Sequence, residues 1–379
     1  MTFSPPNPQV SVRSGTSAGT SSRAQDASAS PERIHELAST LSSRLDAALR
    51  EIQAINMQTK LLSFNAQIEA ARAGIVGASF NVVASEMIRL STTTTAVSDR
   101  LRREMLDPIH SLEEISALLA ESVMQVRGTR LSELAAVNID LVDRNLYERS
   151  CDVRWWATDI SIVRAATTRD EADCTFAAER MRVILGAYTV YADIVLCDLE
   201  GRVLANGHPD KHRFTKNQAH TEWFRSALRT ASGEEFGFQG AHRMEEVPGH
   251  HVLVYSCTVR EGGEQHAQVI GILGVLFKWD ALGQTVVNNT PIAKDEKTLT
   301  RCLVVDDSGS VLADTQGRIR QETLSFGELH AFMKEGAKAF RVISFGGKRH
   351  LAAYAKSQGF ETYATGWHSV ILQELAGAA

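Results

Sequence analysis

The 379-residue sequence has no closely spaced cysteine pair, no N-terminal apolar segment of the kind that opens a secreted chain, and no run of about 18 apolar residues. Its five cysteines, Cys151, Cys174, Cys197, Cys257 and Cys302, are scattered. That pattern excludes a disulfide framework and reads as reduced thiols, so the expected location is the cytoplasm, with no membrane contact. No excess of charge of one sign is present: the net charge is -5, which argues against a general binder of nucleic acid or of membrane surfaces. The motifs of common catalysis are missing too. There is no phosphate-binding loop, no Gly-x-Ser-x-Gly elbow, no His-Glu-x-x-His and no kinase signature, so no enzyme is expected and no cofactor or metal is assigned.

What is present is 44% hydrophobic and 22% charged, the balance of a globular chain. Residues 1–31 are rich in Ser, Pro, Gly and Thr and read as a disordered tail. Ser30 as N-cap and Pro31 at the first helical position then open a helix. From there a period of seven runs through Ile34, Ala38, Leu41, Leu45, Ala48, Ile52, Ile55, Thr59, Leu62, Ala66, Glu69 and Ala73. Gly74 and Gly77 interrupt it, and a similar stripe resumes at Val83, Met87, Leu90, Thr94, Val97 and Leu101. Two arms on either side of a short break imply an antiparallel helical hairpin over 32–127 with its tip at 74–77. Gly74 is expected to end the first arm in the left-handed conformation, Pro108 to kink or break the second, and Arg127-Gly128-Thr129 to punctuate it.

Residues 58–91, QTKLLSFNAQIEAARAGIVGASFNVVASEMIRLS, resemble the signalling tip of bacterial methyl-accepting chemotaxis proteins. The resemblance implies a homodimer whose hairpins form a four-helix bundle, trimers of dimers, and docking of a histidine kinase and its coupling protein. It assigns receptor contacts to Leu61, Phe64, Asn65, Glu69 and Arg72, and coupling-protein contacts to Leu61, Phe64, Val82 and Val83. The bend departs from the family: Ile75 and Val76 replace a charged pair, so an apolar contact is expected there. Glu113-Glu114 is the one adjacent acidic pair in the arms and lacks the small flanking residues of a methylation site.

The remainder, 128–379, reads as a long helix over 130–166 followed by strand-and-turn units. "CDLEGRVLANG" and "VDDSGSVLADT" are nearly one phrase, an internal repeat about 108 residues apart. With "TEWFRSAL" at 221–228, this resembles a double Cache sensor: two PAS-like αβ modules, at about 167–280 and 281–379, behind a long helix. The fold class expected is therefore α+β, hairpin then double sensor. The resemblance implies a small-molecule ligand in the first module. Candidate ligand contacts are an aromatic wall of Trp223, Phe224 and Tyr255, with Arg213 and His220 to meet an anion. The amino-acid-binding version of the family has Arg and Asp where this chain has Thr221 and, approximately, Leu276, so recognition of that type is not expected. Cache domains of the family usually lie outside the membrane, ahead of the hairpin; the reversed order here leads to the expectation of a cytosolic ligand. His208 and His212 have the spacing of a metal pair, but Pro209 between them argues for a loop. Two readings result: a cytosolic chemoreceptor-like transducer, or a soluble ligand-binding dimeric scaffold whose hairpin docks a non-chemotaxis partner.

Overall fold

The computed structural model describes residues 31–324 and 331–375. The expected tail lies outside them, apart from Pro31, which already opens a helix. The chain divides into two compact units, one ending at Met124 and one running from Gln125.

The first unit is helical. Helix α1 (Pro31–Arg72) ends at a short 3-10 turn (Gly74–Gly77), and α2 (Ala78–Leu101) returns. The two helices run antiparallel: the Asn56 amide donates to the Ser91 carbonyl at 2.8 Å and to Thr95 Oγ1 at 2.7 Å, and Gln67 donates to Ser85 at 2.9 Å. Their seam is a stripe of mostly small residues at seven-residue spacing: Leu49, Ser63 and Ala70 on α1, Gly77 at the end of the turn, and Ala84, Ser91 and Ser98 on α2 are all buried. Small side chains let the backbones approach closely. Gly77 shows how closely: its φ of -83° would suit any residue, but a Cβ there would lie 2.1 Å from the Ala70 carbonyl oxygen. Gly74 serves the turn differently, through a φ of +61°. The apolar heptad stripe faces outward. Ile55, Leu62, Val83 and Leu90 are each more than half exposed.

Pro108 does not break the second arm. A π-helical turn (Arg102–Leu106) precedes α3 (Asp107–Trp156), so Pro108 falls in the first turn of the resumed α-helix, where a missing N–H costs little. Nor does Gly128 punctuate. It lies inside α3 because the Phe340 ring packs there, 2.1 Å from where a Cβ would stand.

The second unit hangs two sheets on α3. The expected helix over 130–166 stops at Trp156, where a turn leads to Asp159. That carboxylate caps α4 (Ile160–Thr168), accepting from Ser161 N–H at 2.9 Å. Helix α5 (Glu171–Ala187) leads into the first sheet: β1 (Tyr191–Cys197), β2 (Val203–Asn206), β3 (Gly237–Met244), β4 (Val247–Arg260) and β5 (Val269–Lys278), in the antiparallel order β2-β1-β5-β4-β3, with α6 (Glu222–Leu228) between β2 and β3. Helix α7 (Trp279–Asn288), in which the sequence-based boundary at 280/281 falls, precedes the second sheet. There β6 (Thr300–Val305), β7 (Val311–Asp314), β8 (Lys338–Phe345), β9 (Lys348–Lys356) and β10 (His368–Glu374) repeat the order as β7-β6-β10-β9-β8. The repeated phrase is the first hairpin of each sheet. Asp198 accepts from the N–H groups of Glu200 and Arg202, and Asp306 from those of Ser308 and Ser310. Gly201 and Gly309 take the same left-handed turn, at φ +80° and +81°.

Each sheet has its own core. In the first, Val195, Trp223, Phe224, Val252, Val254, Ile272 and Leu276 are buried together. In the second, Leu303, Phe332, Tyr354, Val370 and Leu372 are. Full burial of each such side chain contributes about 1.5–3 kcal/mol.

Candidate functional site

The first module places an acid in the middle of an apolar strand. Asp193 on β1 is fully buried, a costly position for a carboxylate without partners. Its partners come from the segment after β2. Oδ2 accepts from Asn206 Nδ2 at 2.8 Å, and Oδ1 accepts from the N–H groups of Gly207 at 2.9 Å and His208 at 3.2 Å. His212 Nδ1 donates to Oδ2 at 3.0 Å. One carboxylate thus fixes the whole turn over 206–212.

Above this turn lies a cavity of about 290 Å3, lined by residues that include Tyr191, His208, Lys211, His212, His250 and Lys278. Burial, and then the neighbouring Lys211 charge, hold the His208 imidazole below its ordinary pKa. Tyr191 joins the cavity to α3: its hydroxyl donates to Asp152, and the Arg149 guanidinium lies 5.2 Å from its ring centroid. Burial drives the Tyr191 phenol well up from its usual pKa, so it remains a donor.

A second hollow of about 350 Å3 lies where α6 meets β3, with Lys216, Gln218, His220, Trp223, His242 and Arg243 among its lining. The Trp223 backbone N–H donates to Gln239 Oε1 at 3.1 Å, while its buried indole Nε1 has no hydrogen-bond partner. Trp223 sits so deep because β5 has a glycine beneath it: a Cβ on Gly274 would be 2.8 Å from the indole. Burial also lowers the His242 pKa.

The sequence-based candidates are spread across this module. His220 and Trp223 line the second hollow, Phe224 is core, and Arg213 is exposed and lines neither cavity. Tyr255 forms no open wall. It is fully buried and its hydroxyl meets that of Tyr363, from the second module, at 2.7 Å. Asp193, Lys211 and Lys278 were missed, and His212 was weighed only as half of a metal pair; the one signal was a carboxylate inside the apolar run "ADIVLC". His208 and His212 sit in the loop that Pro209 foretells, and among the described residues no group of three His, Cys, Asp or Glu is placed to hold a metal ion. In the first unit Leu61, Phe64, Asn65, Val82 and Val83 are exposed, Ile75 and Val76 almost completely, and Glu69 pairs with Arg72 at 2.8 Å.

Two five-stranded antiparallel sheets in tandem on one long helix, with a cavity in the first, define a double-module sensor fold. The chain belongs to the Cache-domain family: the dCache_1 model, described as a Cache domain, matches residues 22–378. Among curated proteins it is similar to the transducer protein Htr18 of Halobacterium salinarum (39% identical over 92 residues, 24% of this chain and 11% of that protein). It is also similar to the methyl-accepting chemotaxis proteins TlpQ of Pseudomonas aeruginosa (34% over 126 residues, 28% and 17%) and NahY of Pseudomonas putida (42% over 82 residues, 22% and 14%). The chain thus spans less than a fifth of the length of these relatives. Among solved structures, the ligand-binding domain of the Campylobacter jejuni chemoreceptor Tlp3 in complex with L-valine superposes with a TM-score of 0.51 at 18% identity, over 68% of this chain and 95% of that one. A domain of a putative sensory box/GGDEF family protein from Vibrio parahaemolyticus gives 0.51 at 11% identity, over 66% and 97%. At such identities the likeness is one of fold. No described helix is long and apolar enough to cross a membrane.

Proposed function

We propose that this chain is a chemoreceptor-like signal transducer that binds a small molecule in its first Cache module and relays the event through α3 and the helical hairpin to a histidine kinase and its coupling protein. The observation that carries this reading is the bond from Tyr191, a cavity-lining residue, to Asp152 on α3. A ligand that moves Tyr191 moves a partner on the helix that continues into the first unit. The kinase end of the proposal draws on the likeness to transducers and chemotaxis proteins. The working form is a homodimer, open to assembly into trimers of dimers. The outward stripe of Ile55, Leu62, Val83 and Leu90 supports it, because two hairpins pairing through that stripe bury it in a four-helix bundle. Five unpaired thiols fit work in the reducing cytosol.

A second reading, a dimeric scaffold docking a non-chemotaxis partner, is favoured by the bend, where Ile75 is 97% and Val76 86% exposed. Kinase assays separate the two. With a purified chemotaxis kinase and coupling protein, the wild-type chain is expected to alter autophosphorylation, and Leu62→Lys to abolish that effect while shifting light scattering from dimer toward monomer. A wild-type monomer at micromolar concentration, or no effect on any kinase, overturns the transducer reading.

A further inference from the structure

The cavity over β1 has a one-sided chemistry. Its ionisable lining consists of two lysines, three histidines and a tyrosine, with no carboxylate among them. Lys211 and Lys278 have no ion-pair partner among the described residues. The nearby acids are already engaged. Asp193, beneath the turn, accepts from Asn206, Gly207, His208, His212 and the N–H of Ile194. Asp280 faces His250 Nδ1 at 3.1 Å. The Tyr191 hydroxyl is spent on Asp152, so recognition falls to the bases. At about 30 Å3 per water, the cavity has room for about ten water-sized groups.

We propose that this cavity binds a small dianion, a dicarboxylate or a phosphoryl compound, held by Lys211 and Lys278. The proposal rests on the sensor reading and names the ligand class of that site. Two lysines on the lining of one partly enclosed space leave it with unmatched positive charge, and a dianion offsets that charge through charge-assisted hydrogen bonds. A zwitterionic amino acid fits poorly, since its ammonium group would share the space with two lysines and no carboxylate stands in the lining to meet it. Lys is suited to the task, since a compact ammonium binds carboxylate and phosphoryl oxygens alike.

The test is calorimetric titration of the full chain with succinate, glycerol 3-phosphate and L-valine, each against sodium chloride at matched ionic strength. At least one dianion is expected to bind, more weakly as salt rises, and which one binds tells the carboxylate source from the phosphoryl source. Lys211→Gln and Lys278→Gln are each expected to weaken it about tenfold or more. Both lysines carry no ion pair, so circular dichroism of the variants should match wild type. Binding by neither dianion, or dianion binding undiminished in the double variant, overturns the proposal. Binding of L-valine in their place overturns the anion class while leaving the sensor reading intact. Dianion binding with no change in hydrogen exchange along α3 keeps the site and removes the relay.

Discussion

Where β1 of the first module carries Asp193, the corresponding position of β6 in the second carries Arg301, and each bonds to the neighbouring edge strand. Asn206 reaches Asp193 at 2.8 Å, and the carboxylate of Asp314 holds Arg301 at 3.0 and 2.8 Å. The same hairpin therefore buries an acid in one module and a base in the other, and the surroundings follow. Arg301 takes a second carboxylate, Glu322, at 2.8 Å. The hollow of about 240 Å3 beside it is lined by Arg301, Arg318, Lys348 and Glu374, all of which stand in ion pairs. Asp193 instead spends its charge on backbone N–H groups and an imidazole, which leaves the lysines of its cavity unmatched. In the second module charge is used to hold the fold together. In the first it organises a loop and leaves cations free for a ligand.

The sharpest way to break this comparison is at Arg301. Arg301→Ala strands buried Asp314 and is expected to cost about 3–5 kcal/mol, read from urea unfolding. A pH series sharpens it further. The Arg301 hydrogen bond holds the Glu322 carboxyl below its usual range; for Asp314, burial pushes up, but the Arg301 bond and charge together with the N–H groups of Gln316 and Arg318 outweigh it, and the net shift is also down. Depressed carboxylates contribute stability above their unfolded values, near 4.5 and 3.8, and that contribution is lost as pH falls through the lower folded values. The wild type should therefore weaken below about pH 4, and Arg301→Ala should lose much of that dependence. Equal pH dependence in both would show that the pair is not the source.

Asp193→Ala removes the hub of the first module and is expected to cost less, about 1–3 kcal/mol, since it frees N–H groups in a loop that borders the cavity, at His208, rather than stranding a buried charge. Hydrogen exchange should rise over 206–212 while the second sheet keeps its protection. A loss as large as that of Arg301→Ala would erase the distinction between the modules.

The smallest effect is expected where the modules meet. Tyr255→Phe breaks the hydroxyl pair with Tyr363 at a cost of about 0.5–1.5 kcal/mol. In a double-mutant cycle with Tyr363→Phe, the two changes together should cost little more than either alone. Strict additivity would mean that each hydroxyl has another partner.

Much of this architecture was legible. The hairpin bend, the strand-rich second half and the repeated turn all follow from local rules: a left-handed glycine, period-seven patterning, and an aspartate two residues ahead of backbone donors. What was not legible depends on distant packing. Gly128 looks like a helix breaker until Phe340 is seen lying on it, and Pro108 until the π turn ahead of it is counted. The site was harder still. Arg213 and Tyr255 have suitable chemistry, but exposure removes one and burial the other. Lys211 and Lys278 lie 67 positions apart in the sequence and come to line one cavity only in the fold, where the end of β5 pairs with the start of β1.

The anchoring of α3 has a consequence for how the chain is made. Arg127, near the start of the second unit's share of that helix, donates to Gln373 on β10 at 2.9 Å, a contact between residues 246 positions apart. Asp143 likewise waits for Ser357 and Thr365. At about 5–20 residues per second, roughly 12–50 seconds pass between the synthesis of Arg127 and that of its partner. Within that interval, once Tyr191 and then Glu234 have been made, the anchors near the helix's other end, Asp152 with Tyr191 and Arg154 with the Glu234 carbonyl, become available. The first module is thus able to close on α3 while the second is still unwritten, and β10, central in its own sheet, is the last strand to arrive.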